Sequence, residues 1–407
     1  MTQPGGTPEP PAPGETAEPD GPLARLAGRK PIIVCCGSGG VGKTTTAAVL
    51  ALAGARRGRN AVVVTIDPAK RLATALGLDA LSDTAHEIDR EVWDPDGTAP
   101  PGGHLSALML DTKSTFDHLV LKYSADPTQG QRILENRFYR NISGALAGTQ
   151  EYMAMEKLHE LHDEGGYELI VIDTPPTRNA LDFLDAPARL TRLLDNKLFR
   201  LVMAPTRASF RVANLALQAF FRTVSKVIGI EVVEDLVLFF QAFEGMEDGF
   251  RQRAHRVLEL LSDEGTAFVL VTAPARDAVS EAAYFADRLE GARLRVNALV
   301  VNRIHPEFGG EEPDGLRDRS RALADGREAT GDADSARRLG ELYANLADFV
   351  ELATRERRHL EGLEWSVGAV PVVRVPMLGV EVCDIASLSE VGRYLLGAAS
   401  GGATAAG

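Results

Sequence analysis

From Cys36 to Thr46 the chain reads Cys-Gly-Ser-Gly-Gly-Val-Gly-Lys-Thr-Thr-Thr. Gly37, Ser38, Gly39, Gly40, Val41, Gly42, Lys43 and Thr44 fill the pattern G-x-x-x-x-G-K-[ST], and Thr45 adds a second hydroxyl. Glycines at this spacing let successive backbone N–H groups turn toward one anion, and a following helix N-terminus adds roughly half a positive charge. The chemistry is the cradling of a nucleotide polyphosphate. Lys43 would hold the β- and γ-phosphates, and the Thr44 hydroxyl would ligate Mg²⁺. Two carboxylates complete the set. Asp173 closes Glu-Leu-Ile-Val-Ile and has the form of a Walker-B carboxylate that holds Mg²⁺ through water; its alternative role is a helix N-cap. Asp67 closes Val-Val-Val-Thr-Ile and precedes Pro68, Ala69, Lys70 and Arg71, where two cations imply a nearby phosphate. We read Asp67 as the group that orients or deprotonates an attacking water, with capping as the alternative.

Those residues need elements to hold them. Residues 31–36, ahead of the loop, are a short apolar run of the kind buried on both faces of a sheet, and residues 44–57 behind it have the Ala and Leu content of a helix that Gly58 ends. Similar apolar runs at 61–66, 105–110, 169–172, 267–271, 296–301 and 372–375 alternate with helical patterns. The expected fold is α/β, a mostly parallel doubly wound sheet with a phosphate loop and an inserted α-helical subdomain. Ligands in such sheets bind beyond the carboxyl ends of the strands, where these runs close. The expected division is a tail at 1–22, one phosphate-loop (P-loop) domain at 23–397 and a second tail at 398–407. Within the domain, helical insertions are expected at about 114–164 and 178–262, with a further one at about 305–364.

Composition bounds the rest. The chain has 407 residues, 44% of them hydrophobic, and a net charge of −13, which argues against nucleic-acid binding by the whole molecule. Three cysteines, Cys35, Cys36 and Cys383, give neither a disulfide framework nor a C-x-x-C zinc pair, so no structural zinc is expected. No stretch reaches the ~20 apolar residues needed to cross a bilayer, nor does the N-terminus read as a signal peptide. A cytoplasmic protein is expected.

Four motifs in order, Gly-x-Gly-Gly-Val-Gly-Lys-Thr-Thr, Thr-Ile-Asp-Pro-Ala, Val-Ile-Asp-Thr-Pro-Pro-Thr and Val-Val-Asn, resemble the ArsA-type ATPases. That family spans the arsenite-pump ATPase and the guided-entry ATPase that delivers tail-anchored membrane proteins. The resemblance runs from about residue 30 to 396 and fits a bacterial member with a single phosphate loop. It implies that Asp67, Pro68 and Ala69 belong to a first switch and that Asp173, Thr174, Pro175 and Pro176 belong to a second. It also implies that Asn302 reads adenine through its amide, and that Pro376 begins the loop covering the base. A dimer with ATP at its interface, closing to arrange the helices for a client, is implied in the same way.

The chain departs from that pattern at Ser38, where the family carries a lysine that reaches across the dimer; Lys70 or Arg71 would have to supply the charge. The Cys ligands of the pump and the zinc pair of the targeting ATPase are also missing. Between Arg189 and Lys226, eight basic residues meet Asp195 as the single acid and are interleaved with Leu and Phe. Such a composition suits an acidic membrane surface or an amphipathic partner, or else a solvated helix face balanced by acids brought near in the fold. The resulting expectation is an Mg-dependent ATPase switch, a dimer with itself or a related chain, serving a protein or membrane client and peripheral to the membrane through 189–226. Competing readings are a positioning ATPase of the partition or septum-site kind, a metabolic phosphotransferase, and a weakly hydrolysing half of a heterodimer.

Overall fold

The structure, a computed structural model, describes residues 20–66, 71–142, 149–175, 235, 238–239, 246–306, 308, 310–325, 332–379 and 381–397. Helix α1 (Pro22–Arg29) leads to β1 (Ile32–Cys36), α2 (Lys43–Ala55) and β2 (Asn60–Thr65). Next come α3 (Arg71–Ala75), β3 (His86–Glu87), α4 (Arg90–Trp93) and β4 (His104–Met109). Four helices, α5 (Thr112–Tyr123), α6 (Pro127–Glu135), α7 (Arg137–Ile142) and α8 (Thr149–Asp163), precede β5 (Leu169–Asp173). Further on lie α9 (Glu247–Ser262), β6 (Thr266–Thr272), α10 (Arg276–Gly291) and β7 (Val296–Ile304). The described chain ends with α11 (Pro313–Ala324), α12 (Ala333–Ser366), β8 (Val372–Pro376) and α13 (Ile385–Leu396).

The strands form one sheet in the order β3-β4-β2-β5-β1-β6-β7-β8, parallel except for the β3–β4 pair. Every residue of β1, β5 and β6 is buried, which is why they read as unbroken apolar runs rather than alternating ones. Alternate side chains feed two layers. Ile32, Val34 and Cys36 join one core with Leu158 of α8, Val257 of α9 and Leu289 of α10. Ile33 and Cys35 join the other with Leu23 of α1, Leu50 of α2 and Leu388 of α13. A fully buried aliphatic side chain contributes about 1.5–3 kcal/mol, and a one-residue slip would exchange the two faces, so the register is firmly fixed.

Two elements fall outside the apolar-run reading. β3 has two exposed residues and adds an antiparallel edge, with no apolar run to announce it. Helix α1 starts at Pro22, where the N-terminal tail was expected to end, and Gly21 N donates to Leu396 O at 3.1 Å. Leu23, Ala24 and Ala27 are fully buried there, which repays the ordering. Residues 1–19, 398–407, the basic segment 189–226 and most of 178–262 lie outside the described residues. Among the described residues no helix is long and apolar enough to cross a membrane.

β1 lies at the centre, with β5 on one side and β6 on the other. The crevice beyond its carboxyl end is where an open α/β sheet binds ligands.

Candidate nucleotide site

The loop after β1 is shaped by glycine. Gly37 has φ 145°, and a Cβ there would stand 2.0 Å from Val271 O on β6, so no side chain fits between the loop and its neighbouring strand. Gly42, at φ 100°, is the N-cap of α2 and supplies no side-chain cap; the first turn of the helix carries no acid. The N–H groups of a first helical turn have no intrahelical acceptor, which suits such a terminus to an anion. Lys43 is 5% exposed, and its ammonium donates to Ser38 O at 2.7 Å, folding over the loop it serves.

Beneath the loop lies a cluster of oxygens. Parallel pairing sets Asp173 beside both Cys35 and Thr65, which brings the ends of β5, β1 and β2 together. The Thr44 hydroxyl donates to Asp173 Oδ2 at 2.7 Å, and the Thr65 hydroxyl donates to the same oxygen at 3.0 Å. Asp173 is fully buried, so hydroxyl donors are what make its charge tolerable there. Thr174 folds back on β1, with its N–H and its hydroxyl both donating to Cys35 O, at 3.2 and 2.9 Å. A hydroxyl and a carboxylate beside a phosphate loop form a hard, all-oxygen donor set. Such a set fits Mg²⁺, which keeps several waters and shares its remaining positions with phosphate.

The cleft has a volume of about 910 Å³. Gly40, Gly42, Lys43, Thr44 and Thr45 form its floor, Arg71, Thr74 and Ala75 of α3 one wall, and Thr174 contributes from the end of β5. Across from them stand Asn302 and Arg303 of β7, Pro376 at the end of β8 and the turn that follows it. Asn302 does more than line the cleft. Its amide donates to Val41 O at 2.9 Å, and a Cβ on Gly42 would come within 2.2 Å of the same nitrogen, so β7 braces the loop from the side. The cysteines take no part. Burial pushes the Cys36 thiol up to about 12 and also raises Cys35 well above the ordinary thiol value, with Asp173 adding to the effect there, so both stay protonated.

Gly37 to Thr45, Asp173, Thr174, Asn302 and Pro376 therefore surround one end of the sheet, and Pro175 is buried beside Thr174. Asp67, Pro68, Ala69 and Pro176 lie outside the described residues, as does Lys70. Sequence reasoning passed over Thr65, the second donor to Asp173. Its signal was a hydroxyl in an otherwise aliphatic run, one strand over from the carboxylate. Arg303 was passed over too, and nothing in composition or periodicity marks it. Among the described residues no group of three or more His, Cys, Asp or Glu side chains is placed to hold a metal ion.

A phosphate loop at the central crevice of a doubly wound parallel sheet, with a Thr–Asp oxygen pair beneath it, defines a P-loop nucleotide-binding protein. Residues 30–322 match the ArsA family, described as anion-transporting ATPase, and the chain belongs to that family of ATP hydrolases. It is similar to the ATPase GET3 of Malassezia globosa, 26% identical over 283 residues that cover 69% of this chain and 74% of that protein. The ATPase ASNA1 homolog 2 of Paramecium tetraurelia is 27% identical, over 66% of this chain and 74% of its own length. A protein described as uncharacterized, SCO2128 of Streptomyces coelicolor, is 26% identical over 68% of this chain and 63% of that one.

Proposed function

We propose that this ATPase is an Mg²⁺-dependent switch that closes as a dimer on ATP, reopens on hydrolysis, and so binds and releases a protein or membrane client. The observation that carries the metal-dependent part is the pair of hydroxyls, Thr44 and Thr65, converging on buried Asp173 directly behind Lys43. When bound, Mg²⁺ would neutralise developing charge on the phosphates. Asp173 and Thr44 would hold it, the loop N–H groups and Lys43 would orient the phosphates, and Asp67 would position the attacking water. Dimerisation and the client-binding role of 178–262 rest on the resemblance, and the client-facing role of 189–226 rests on its charge pattern. Sequence similarity to ATPases named GET3 and ASNA1 supports that side of the reading.

The test is a bait experiment. Asp67→Asn is expected to bind ATP without cleaving it, so the variant should capture partners in Mg-ATP that it releases in ADP. Recovery of membrane proteins, or of a related ATPase, only in the ATP state is the expected outcome. An identical set of captured proteins in both states would overturn the switch reading.

A further inference from the structure

β7 and β8 pair in register as far as Val301, then slip, and meet again only at Ile304 with Pro376. Asn302 and Arg303 occupy the slip. Irregularities of this kind next to a site re-aim side chains that a regular strand would direct elsewhere. Arg303 has φ 62°, a left-handed conformation that disfavours a residue bearing a side chain. Among the described residues Arg293 is the other non-glycine residue with positive φ. It has an ordinary cause: it follows the end of α10, where its N–H donates to Glu290 O.

No helix end accounts for Arg303. Its conformation is instead held by three bonds around the slip. Arg303 N donates to Asn302 Oδ1 at 2.9 Å, Asn302 Nδ2 donates to Val41 O at 2.9 Å, and Met377 N donates to Ile304 O at 2.8 Å. The first two tie the bend to the phosphate loop, and the third ties it to the turn after β8. The result is an exposed arginine that lines the cleft. Among the described residues its guanidinium makes no ion pair.

The place along the cleft decides which part of a nucleotide it meets. β7 lies two strands from β1 and reaches the phosphate loop from the side, where Asn302 donates to Val41 O, and Arg303 is the next residue along. In the neighbouring wall Pro376, Met377 and Leu378 are apolar, with Glu381 further along the same turn, and Met377 is 51% exposed. An apolar wall suits a flat heteroaromatic ring rather than a phosphate. A planar guanidinium stacks on such a ring, as a lysine cannot.

We infer that Arg303 is a base-stacking residue of the nucleotide cleft, held in a strained bend of β7 so that its guanidinium lies on one face of the purine of bound ATP. The inference rests on the ATPase reading. Stacking is tolerant of ring identity, so Arg303 contributes affinity for a purine while hydrogen bonds elsewhere select adenine.

The test uses the full chain and three variants, Arg303→Ala, Arg303→Gly and Arg303→Lys. KM for ATP and for GTP and the inhibition constant of inorganic tripolyphosphate are measured for each. Glycine accepts φ 62° without strain, so Arg303→Gly removes the side chain and keeps the bend. The expected result is a rise in KM of roughly three- to thirty-fold for both nucleotides in the Ala and Gly variants. The loss falls on KM rather than kcat, the tripolyphosphate constant stays put, and Arg303→Lys restores little. Wild-type KM in Arg303→Gly would assign the effect to the backbone and overturn the proposal. A matching loss of tripolyphosphate affinity would place Arg303 on the phosphates and overturn it equally. Failure of the wild-type chain to bind or cleave ATP would overturn the nucleotide reading itself, a different result from either.

Discussion

Asp173 pairs a fully buried charge with two hydroxyl donors, and that arrangement separates its structural from its catalytic contribution. Asparagine has nearly the same shape but no charge, and its amide accepts at one atom only. Asp173→Asn should therefore remain folded, at a cost of about 1–3 kcal/mol for imperfectly paired groups. Hydrolysis should fall by about a hundredfold, the scale of one lost electrostatic stabiliser. Melting and steady-state turnover read the two effects separately, and wild-type turnover in Asp173→Asn would remove Asp173 from the chemistry. Arg71 supports a second experiment. With Ser38 in the position of the family's lysine, Arg71 is a cation on the α3 wall of the cleft, beside Thr74 and Ala75. Arg71→Ala should lower kcat by at least about tenfold if its charge meets the phosphates in the transition state, whereas Thr74→Ala should change it far less. Equal turnover in the two variants would return the question to Lys70.

At the scale of elements, α8 and α9 are joined by a buried ion pair. Arg253 Nε donates to Glu156 Oε2 at 2.7 Å, and the two residues are 6% and 1% exposed. Breaking one side of such a pair costs about 3–5 kcal/mol, whereas replacing both partners with apolar residues is near neutral. Arg253→Met alone should thus melt well below wild type, and Glu156→Leu with Arg253→Met should recover most of the loss. His159, one turn along α8, is held below its ordinary value of 6.5 by burial first and by the charge of Arg253 second, with Asp163 opposing both. A depressed folded-state value means that the unfolded chain takes the proton first. The stability it carries is complete above about pH 6.5 and drains away as pH falls through the lower folded value. Denaturant titrations should show wild type losing more stability between pH 7.5 and 5.5 than His159→Gln, and parallel losses would assign the slope to other groups. Legibility in the sequence follows the same physics. β1, β2 and β4 to β8 announce themselves because buried parallel strands must be apolar along their length. The phosphate loop does so because its chemistry tolerates few residue types. β3 is two exposed residues on an edge, and α1 owes its order to packing on α2 and on α13 at the far end of the chain, so neither has a signal within its own residues. The slip at Asn302 and Arg303 is a relation between β7 and β8, invisible to any pattern within one strand.

For the whole molecule, the relevant contrast is between a net charge of −13 and the segment from Arg189 to Lys226, which carries eight basic residues against Asp195. An anionic surface repels the molecule as a whole and attracts this segment, so contact should be local and sensitive to salt. Binding to vesicles rich in anionic lipid should fall steeply between 50 and 300 mM salt, roughly as expected when each nearby cation contributes ~1 kcal/mol. Arg207→Glu, Arg211→Glu and Arg222→Glu together should abolish it while leaving soluble ATP hydrolysis in place. Closure on ATP sets a further condition at this scale. If two chains shut around the nucleotides, Asp67→Asn in Mg-ATP should scatter light with twice the mass of the 43.7 kDa chain and return to single mass in ADP. Because the variant is expected to bind without cleaving, it holds the closed state long enough to weigh. A doubled mass that also raises vesicle binding would couple closure to presentation of the basic segment, by the reciprocity that any linked pair of equilibria obeys. A single mass in both nucleotides, with ATP bound, would point to a related chain as the missing half, and Ser38 would then mark this chain as the half that contributes no lysine of its own across the interface.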